Sequence, residues 1–408
     1  MLAKENSTNS QEIEVEALIQ KYQSECTDFL RELIQTPSVN GEQNEGALAT
    51  VVERRTQALG LTSKRYEAKT GRPNMYVGED SQFTNTDSIL FVAHADTVPV
   101  GDESKWTHKP FGAEIVDGKM YGRGALDCKG GIALSIYALK ILQELGAGDK
   151  AKLLVGADEE SGADSEIGIR HVLAQGLQAR GAVYTYGGRV TDALTIGHRG
   201  VLRVWITAHG ELAHSGSREW QDGTKGASAI VGMMKLLARI EEYHQSIATK
   251  EHENFPGYRC VITPTLLDGG SGESLVPDKA RVLLDIRTLP DQNNKQIVSD
   301  LKEILNETES DKIKFELEIK NDVPAALSDP NNSFVQTTAE TMRHAYGYEQ
   351  VSYKGSGPAN EAHMLIAKGI PTVVGFGPTG DGFHSRDEYG EVASIEQSLR
   401  FLVSLALS

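Results

Sequence analysis

Apolar residues recur at helical spacing over 12–36 (Val15, Leu18, Ile19, Tyr22, Cys26, Phe29, Leu30, Leu33), and Pro37 ends the run. The polar stretch before it, 1–11, reads as frayed. A second amphipathic helix is predicted over 45–59. Short apolar runs at 75–77, 89–92, 151–157 and 182–184 read as strands, and helical periodicity returns at 130–145, stopped by Gly146, and at 167–174. Strands alternating with helices predict an α/β sheet packed on both faces.

The pattern changes near Gly197. Strands rich in β-branched and aromatic residues are predicted over 201–209, 260–267, 280–286 and 313–319, with helices over 227–243 and 296–305. This is an α+β pattern: two helices on a four-stranded antiparallel sheet. The chain therefore reads as a first domain (1–197), an inserted second domain (198–320) and the remainder of the first (321–408). The last part opens with a return linker over 321–330. Helices follow over 334–346 and 359–367, then a strand over 372–374 and a closing helix over 394–407.

Size and charge narrow the picture. At 408 residues one hydrophobic core is not enough, and 39% apolar with 24% charged residues is the composition of a globular protein. A net charge of −16 speaks against a nucleic-acid partner, which needs a basic face. No apolar run reaches the roughly 18 residues of a membrane span, and the polar start has no secretory core, so no membrane partner is expected. Cys26, Cys128 and Cys260 are sparse, odd in number and without a CxxC spacing, which suits the reducing cytoplasm.

The candidate chemistry lies at strand ends. The run Ile89-Leu90-Phe91-Val92-Ala93 leads into His94-Ala95-Asp96, where alternate residues of an extended segment share a side. A metal-bound imidazole usually donates its other N–H to a carboxylate, and Asp96 is spaced to accept it. Downstream, the turn Gly122-Arg123-Gly124-Ala125-Leu126-Asp127 presents a single acid. Asp158-Glu159-Glu160 follows a buried strand, where ligands bind in open α/β sheets, and adjacent carboxylates call for a cation or a proton. The division of labour favoured by the sequence puts Glu160 on a metal and leaves Glu159 as general base. His384, in a loop rich in glycine, is a further imidazole ligand candidate.

Together, His94-x-Asp96, Gly124-x-x-Asp127, Asp158-Glu159-Glu160 and Phe383-His384-Ser385-x-x-Glu388-Tyr389, in this order, resemble the M20 metallopeptidases and deacylases. The resemblance runs from about Phe29 to the end of the chain. It implies a zinc-peptidase-type α/β catalytic domain, with mixed sheet and flanking helices, plus an inserted α+β lid domain through which two copies form a homodimer. It implies that His94, Asp127, Glu160 and His384 bind metal, with Asp127 bridging two ions and Asp96 orienting His94. Glu159 would be the base for a metal-activated water attacking the amide of a small N-acyl amino acid or short peptide near its carboxylate. His214, in Gly210-Glu211-Leu212-Ala213-His214-Ser215-Gly216, would stabilise the oxyanion in the partner subunit. Arg287 would clamp the substrate carboxylate, and Glu361 takes the acidic position of a glycine-rich substrate loop. The cofactor implied is zinc, one or two ions, with cobalt or manganese also compatible.

Two positions depart from the family pattern. Its members carry an Asp or Glu about two dozen residues after the paired acids, as the third ligand of the ion held by His94. Here 182–189 contains no acid; Tyr186 or Gly187 falls nearest, and Asp192 is the next acid downstream. Ser228 also replaces a usual Asn. The missing acid supports one alternative, a catalytically weakened relative that serves as a small-molecule or metal binding module.

Overall fold

The computed structural model describes residues 2–42 and 45–408, with side chains from 12 onward. Its internal contacts divide the chain into two units. One comprises Met1–Gly197, Ser328–Lys354 and Asn360–Ser408; the other His198–Leu327 and Gly355–Ala359. The second unit thus runs beyond 320, because its last long strand, Lys314–Val323, continues into the stretch read as linker.

In the first unit, a mixed sheet carries the strands Ser63–Tyr66, Asn74–Val77, Ala151–Gly156, Ile89–His94, Gly181–Tyr184, Thr372–Val374 and Ala193–His198, in that spatial order. The centre is parallel: Ile89–His94 lies between Ala151–Gly156 and Gly181–Tyr184. All three are buried along their whole length, which is why they read as unbroken apolar runs rather than alternating ones. The flanking strands Asn74–Val77 and Ala193–His198 are antiparallel to their neighbours. Helix Lys129–Glu144 packs on Leu2–Ile34 and Ser394–Leu407, buried around nearly its whole circumference. The first helix is Leu2–Ile34, so residues 2–11 of the polar stretch read as frayed are helical, and Met1 lies outside the described residues. The helix expected over 167–174 is reduced to Ile169–Leu173.

A four-stranded antiparallel sheet in the same unit escaped the sequence reading. It runs Gly380–Asp381, Tyr389–Glu391, Lys119–Tyr121, Glu114–Val116. These strands have two or three residues each, too few to show a period of two. Through it the loop 382–388 is tied to the turn that follows Tyr121.

The second unit is the expected α+β body. Its antiparallel sheet runs Val261–Gly269, Lys279–Thr288, Gly200–His209, Lys314–Val323. Helices Ala229–Ile247 and Asn294–Thr308 supply Met233, Leu236, Ile240, Ile297, Leu301 and Leu305 to a core shared with Leu202, Val204, Ile206, Val282 and Leu284. Ser228 caps the first of these helices, its hydroxyl accepting from the Val231 N–H. Among the described residues, no helix is long and apolar enough to cross a membrane.

Candidate metal centre

Three parallel strands deliver the site. In the registers Ala93↔Val155, His94↔Gly156 and Val92↔Tyr184, the ends that carry His94, Asp158-Glu159-Glu160 and Tyr186 lie side by side. The fourth contributor is the turn before helix Lys129–Glu144, which ends in Asp127. Gly131, in the first turn of that helix, must be glycine: a Cβ there would lie 2.1 Å from the Thr185 carbonyl oxygen. The helix start therefore sits directly against the backbone leading to Tyr186.

Asp127 is the hub. Its Oδ1 faces His94 Nε2 at 2.8 Å and its Oδ2 faces His384 Nε2 at 3.1 Å. His384 Nε2 also stands 3.5 Å from Glu160 Oε1. Four of the residues singled out from sequence as ligands are thus brought together. Asp127, Glu160 and His384 offer ligand atoms within 4.8 Å of one another, as do His94, Asp127 and Cys128, and His94, Glu159 and Glu160. Two imidazoles and two carboxylates, with Asp127 buried and His384 exposed at the rim, make a donor set that suits a divalent cation. Glu160 Oε1 is buried and accepts no hydrogen bond from the protein, an orphan that a cation would satisfy. The His94 Nδ1–H donates to the Asp96 carbonyl oxygen at 2.9 Å, so the lone pair of a neutral ring would face the Asp127 carboxylate. Only a proton or a cation between them relieves that opposition.

The electrostatics follow from this geometry. Burial alone would lift the Asp127 carboxyl, but its bonds from His384 and His94 outweigh it and hold the group at about 2. His384, hydrogen-bonded to Asp127 and facing the Glu160 carboxylate at 3.5 Å, is pushed up to about 10. Burial opposes the charge on His94, yet its bonds to Asp127 and Asp96 carry its pKa well above the ordinary imidazole value. Glu159 is driven well above the usual carboxylate range, first by burial and then by Glu160, Glu361 and Asp127, with His94 pulling the other way.

The three consecutive acids point three ways. Asp158 takes up left-handed backbone (φ 63°) and turns away from the centre. Arg72, Asn40 and Ser165 bind its carboxylate at 2.7, 2.9 and 2.6 Å. Glu160 faces His384. The buried Glu159 accepts from the Tyr186 hydroxyl at 2.8 Å. The repulsion expected among these acids is thereby divided between an arginine, a phenol and the metal centre.

Asp96 acts differently from the sequence expectation. Its carboxylate is 3.5 Å from His94 Nδ1, and its main-chain oxygen takes the imidazole N–H instead. The carboxylate accepts from Asn40 Nδ2 at 2.6 Å and from the Glu159 and Glu160 N–H groups at 3.1 and 2.9 Å. It therefore fixes the turn that carries Glu159 and Glu160. Glu361 does not face open space. It is fully buried, accepts from the Tyr184 hydroxyl at 2.9 Å, and its other oxygen has no partner. Burial raises its pKa to about 7. This places Glu361 as a support beneath the strand ends. Asp192 is exposed and joins no ligand cluster among the described residues.

His214 and Arg287 belong to the second unit. His214 is exposed on a two-residue strand, Ala213–His214, and its Nδ1 accepts from the Gly216 N–H at 3.0 Å. Arg287 is bound to Asp285, Nε to Oδ1 at 2.6 Å. Two residues to which the sequence assigned no role support the centre. Glu388, with no exposed surface, pairs with the buried Arg123 at 2.6 Å and accepts the N–H groups of Leu126 and Asp127 at 2.9 and 3.2 Å. Asn40 links Asp96 to Asp158. For Glu388 the sequence signal was its place in the motif around His384, which named no role for it; for Asn40 it was no more than a polar residue in a loop segment.

Comparison with known proteins agrees with this geometry. The model of peptidase family M20/M25/M40 matches residues 90–408. The chain is 27% identical over 377 residues to succinyl-diaminopimelate desuccinylase of Methylorubrum populi, covering 90% of this chain and 93% of that protein. In fold it resembles a metallo-carboxypeptidase of the M20 family from Sulfolobus solfataricus, with a TM-score of 0.75 at 18% identity, over 92% of this chain and 97% of the other. It also resembles a dinuclear metal binding peptidase of the M20 family from Bacillus subtilis, with a TM-score of 0.68 at 15% identity, over 95% and 98%. The chain belongs to peptidase family M20/M25/M40, a metal-dependent family, and is a hydrolase. Nothing in the site or its relatives favours the non-catalytic alternative.

Proposed function

We propose that this hydrolase cleaves the amide bond of a small N-acyl amino acid or short peptide beside its carboxylate, with Glu159 as general base. The observation that carries this reading is the contrast among the three acids. Asp158 is neutralised by Arg72, whereas Glu159 is buried, bonded only to a phenol, and adjacent to the cluster of Asp127, Glu160 and His384. A base poised above the ordinary carboxylate range suits proton transfer near neutral pH. Asp127, Glu160 and His384 would hold zinc, with cobalt or manganese accepted by the same donors, and His94 faces the other oxygen of Asp127. When bound, the ion supplies Lewis-acid polarisation of the carbonyl and acidifies water. Glu159 takes the proton of the attacking water and returns it to the leaving nitrogen, while Asp96 holds Glu159 and Glu160 in register.

As the family resemblance implies, His214 would stabilise the oxyanion in the partner subunit, and Arg287 would bind the substrate carboxylate, a planar task suited to guanidinium. The desuccinylase relative supports an acyl-amino-acid substrate. A homodimer through the inserted unit is supported by its uncovered apolar residues. Helix Ala229–Ile247 exposes Ile230, Val231 and Met234 at 38, 48 and 65%, and the edge strand Val261–Gly269 exposes Leu266 and Leu267 at 55 and 63%. An open sheet edge beside such a patch invites a second copy. Three buried free cysteines fit a cytoplasmic setting.

The test is a panel of N-acyl amino acids against the zinc-loaded protein and its Glu159→Gln variant. The variant should keep its metal and lose about 10²–10⁴-fold in kcat. Hydrolysis of nothing in the panel by the wild type, or full activity in the variant, would overturn the reading.

A further inference from the structure

The two sides of Asp127 are not alike. On the His384 side stand three donors, one of them the orphan Glu160 Oε1. On the His94 side, the His, Cys, Asp and Glu residues that cluster with it among the described residues, beyond Asp127, are Cys128, Glu159 and Glu160. The Cys128 thiol points at the Thr185 carbonyl oxygen, 3.5 Å away. Glu160 serves the His384 side, and Glu159 is taken by Tyr186. Tyr186 itself stands beside His94. Its ring centroid lies 5.6 Å from that of His94, and the ring stacks on Tyr184 at 4.7 Å. Tyr184 is in turn anchored by its hydroxyl to the buried Glu361. The phenol is thus fixed from below and bonded at its tip.

We propose that this chain holds a single tightly bound divalent ion, on Asp127, Glu160 and His384, because Tyr186 occupies the ground where a carboxylate would complete a second site beside His94. Zinc sites ordinarily need at least three protein ligands, and His94 with Asp127 alone provides two. This sets the chain apart from its dinuclear fold relative. Tyr186 becomes a positioning residue, holding Glu159 with the hydrogen bond that a second cation's ligand would not have made.

The inference rests on the metal-hydrolase reading, and metal content separates the two. Apo protein is titrated with Co²⁺ and followed by visible absorption, and zinc-loaded protein is analysed for metal after gel filtration. Wild type should saturate at one equivalent, Tyr186→Phe should stay at one, and Tyr186→Glu should rise to two. Two tight equivalents in the wild type would overturn the inference and leave the hydrolase reading intact. A Tyr186→Glu protein that folds but remains at one would overturn the role given to Tyr186. No bound ion at all would overturn the hydrolase reading, and this inference with it. Should Tyr186→Glu not fold, wild type given two equivalents of Co²⁺ decides by electron paramagnetic resonance. One protein-bound and one aqueous signal supports the single site, and a spin-coupled pair refutes it.

Discussion

Replacing Glu388 by alanine tests whether the fold and the metal centre share one support. The carboxylate is completely buried, and its partner Arg123 is only 2% exposed. It makes one ion pair and accepts two backbone N–H groups, those of Leu126 and of Asp127 itself. Removal leaves a buried guanidinium whose Nε already has no partner, lying over the Trp106 ring at 5.2 Å. Breaking a buried pair from one side costs about 3–5 kcal/mol. The orphaned N–H groups, about 1–3 kcal/mol each in isolation, belong to the same network and do not add in full. A domain has about 5–15 kcal/mol in total, so the first unit should be left marginal. Glu388→Gln, which keeps an acceptor for both N–H groups, should lose less.

The second effect is on the centre. Glu388 carries His384 on its own hairpin and restrains the turn bearing Asp127, so its loss loosens two ligands together. Groups that orient metal ligands from behind are worth about 10–100-fold in affinity. Urea unfolding of apo and zinc-loaded protein gives the first quantity, and competition with a chromophoric chelator gives the second. A Glu388→Ala protein within about 1 kcal/mol of wild type and of equal zinc affinity would refute the argument.

Two further outcomes follow from the same structure. In the metal-free protein His384 sits at about 10, so an ion entering near neutral pH must displace its proton. Because the folded pKa is raised, the stabilisation from its pairing with Asp127 and Glu160 is complete below the ordinary imidazole value and is lost as pH rises through about 10. Zinc affinity should accordingly increase from pH 6 to 9, with calorimetry in buffers of different ionisation enthalpy showing proton release; pH-independent binding without release would contradict this. On the second unit, Met234→Glu places a charge in the middle of the exposed helix face. It should convert a dimer to monomer by light scattering without loss of helical signal, and an unchanged dimer would exclude this face as the interface.

What the sequence made legible is what local pattern carries. Buried parallel strands read as apolar runs, and each hands its chemistry to the residues just beyond it, so His94 and the paired acids are visible from either side of their strands. The α+β insert declares itself by long alternating strands such as Gly200–His209. What escaped depends on contacts between distant segments. Glu388 lies 261 residues from the Asp127 N–H it binds, through a sheet whose strands are too short to show a period. Asp96 shows the subtler limit. Spacing put it beside His94, as it is, but could not say that the carbonyl would take the imidazole and free the carboxylate for the Glu159–Glu160 turn. Tyr186 shows the opposite case. The absence of an acid was plain in the sequence, but its meaning was not, because a phenol at a strand end is mute until Glu159 is found on its hydroxyl and Tyr184 beneath its ring. A site of this kind is therefore read in two stages: residue types along the chain suggest the ligands, and the bonds behind them carry the proposal of how many ions those ligands hold.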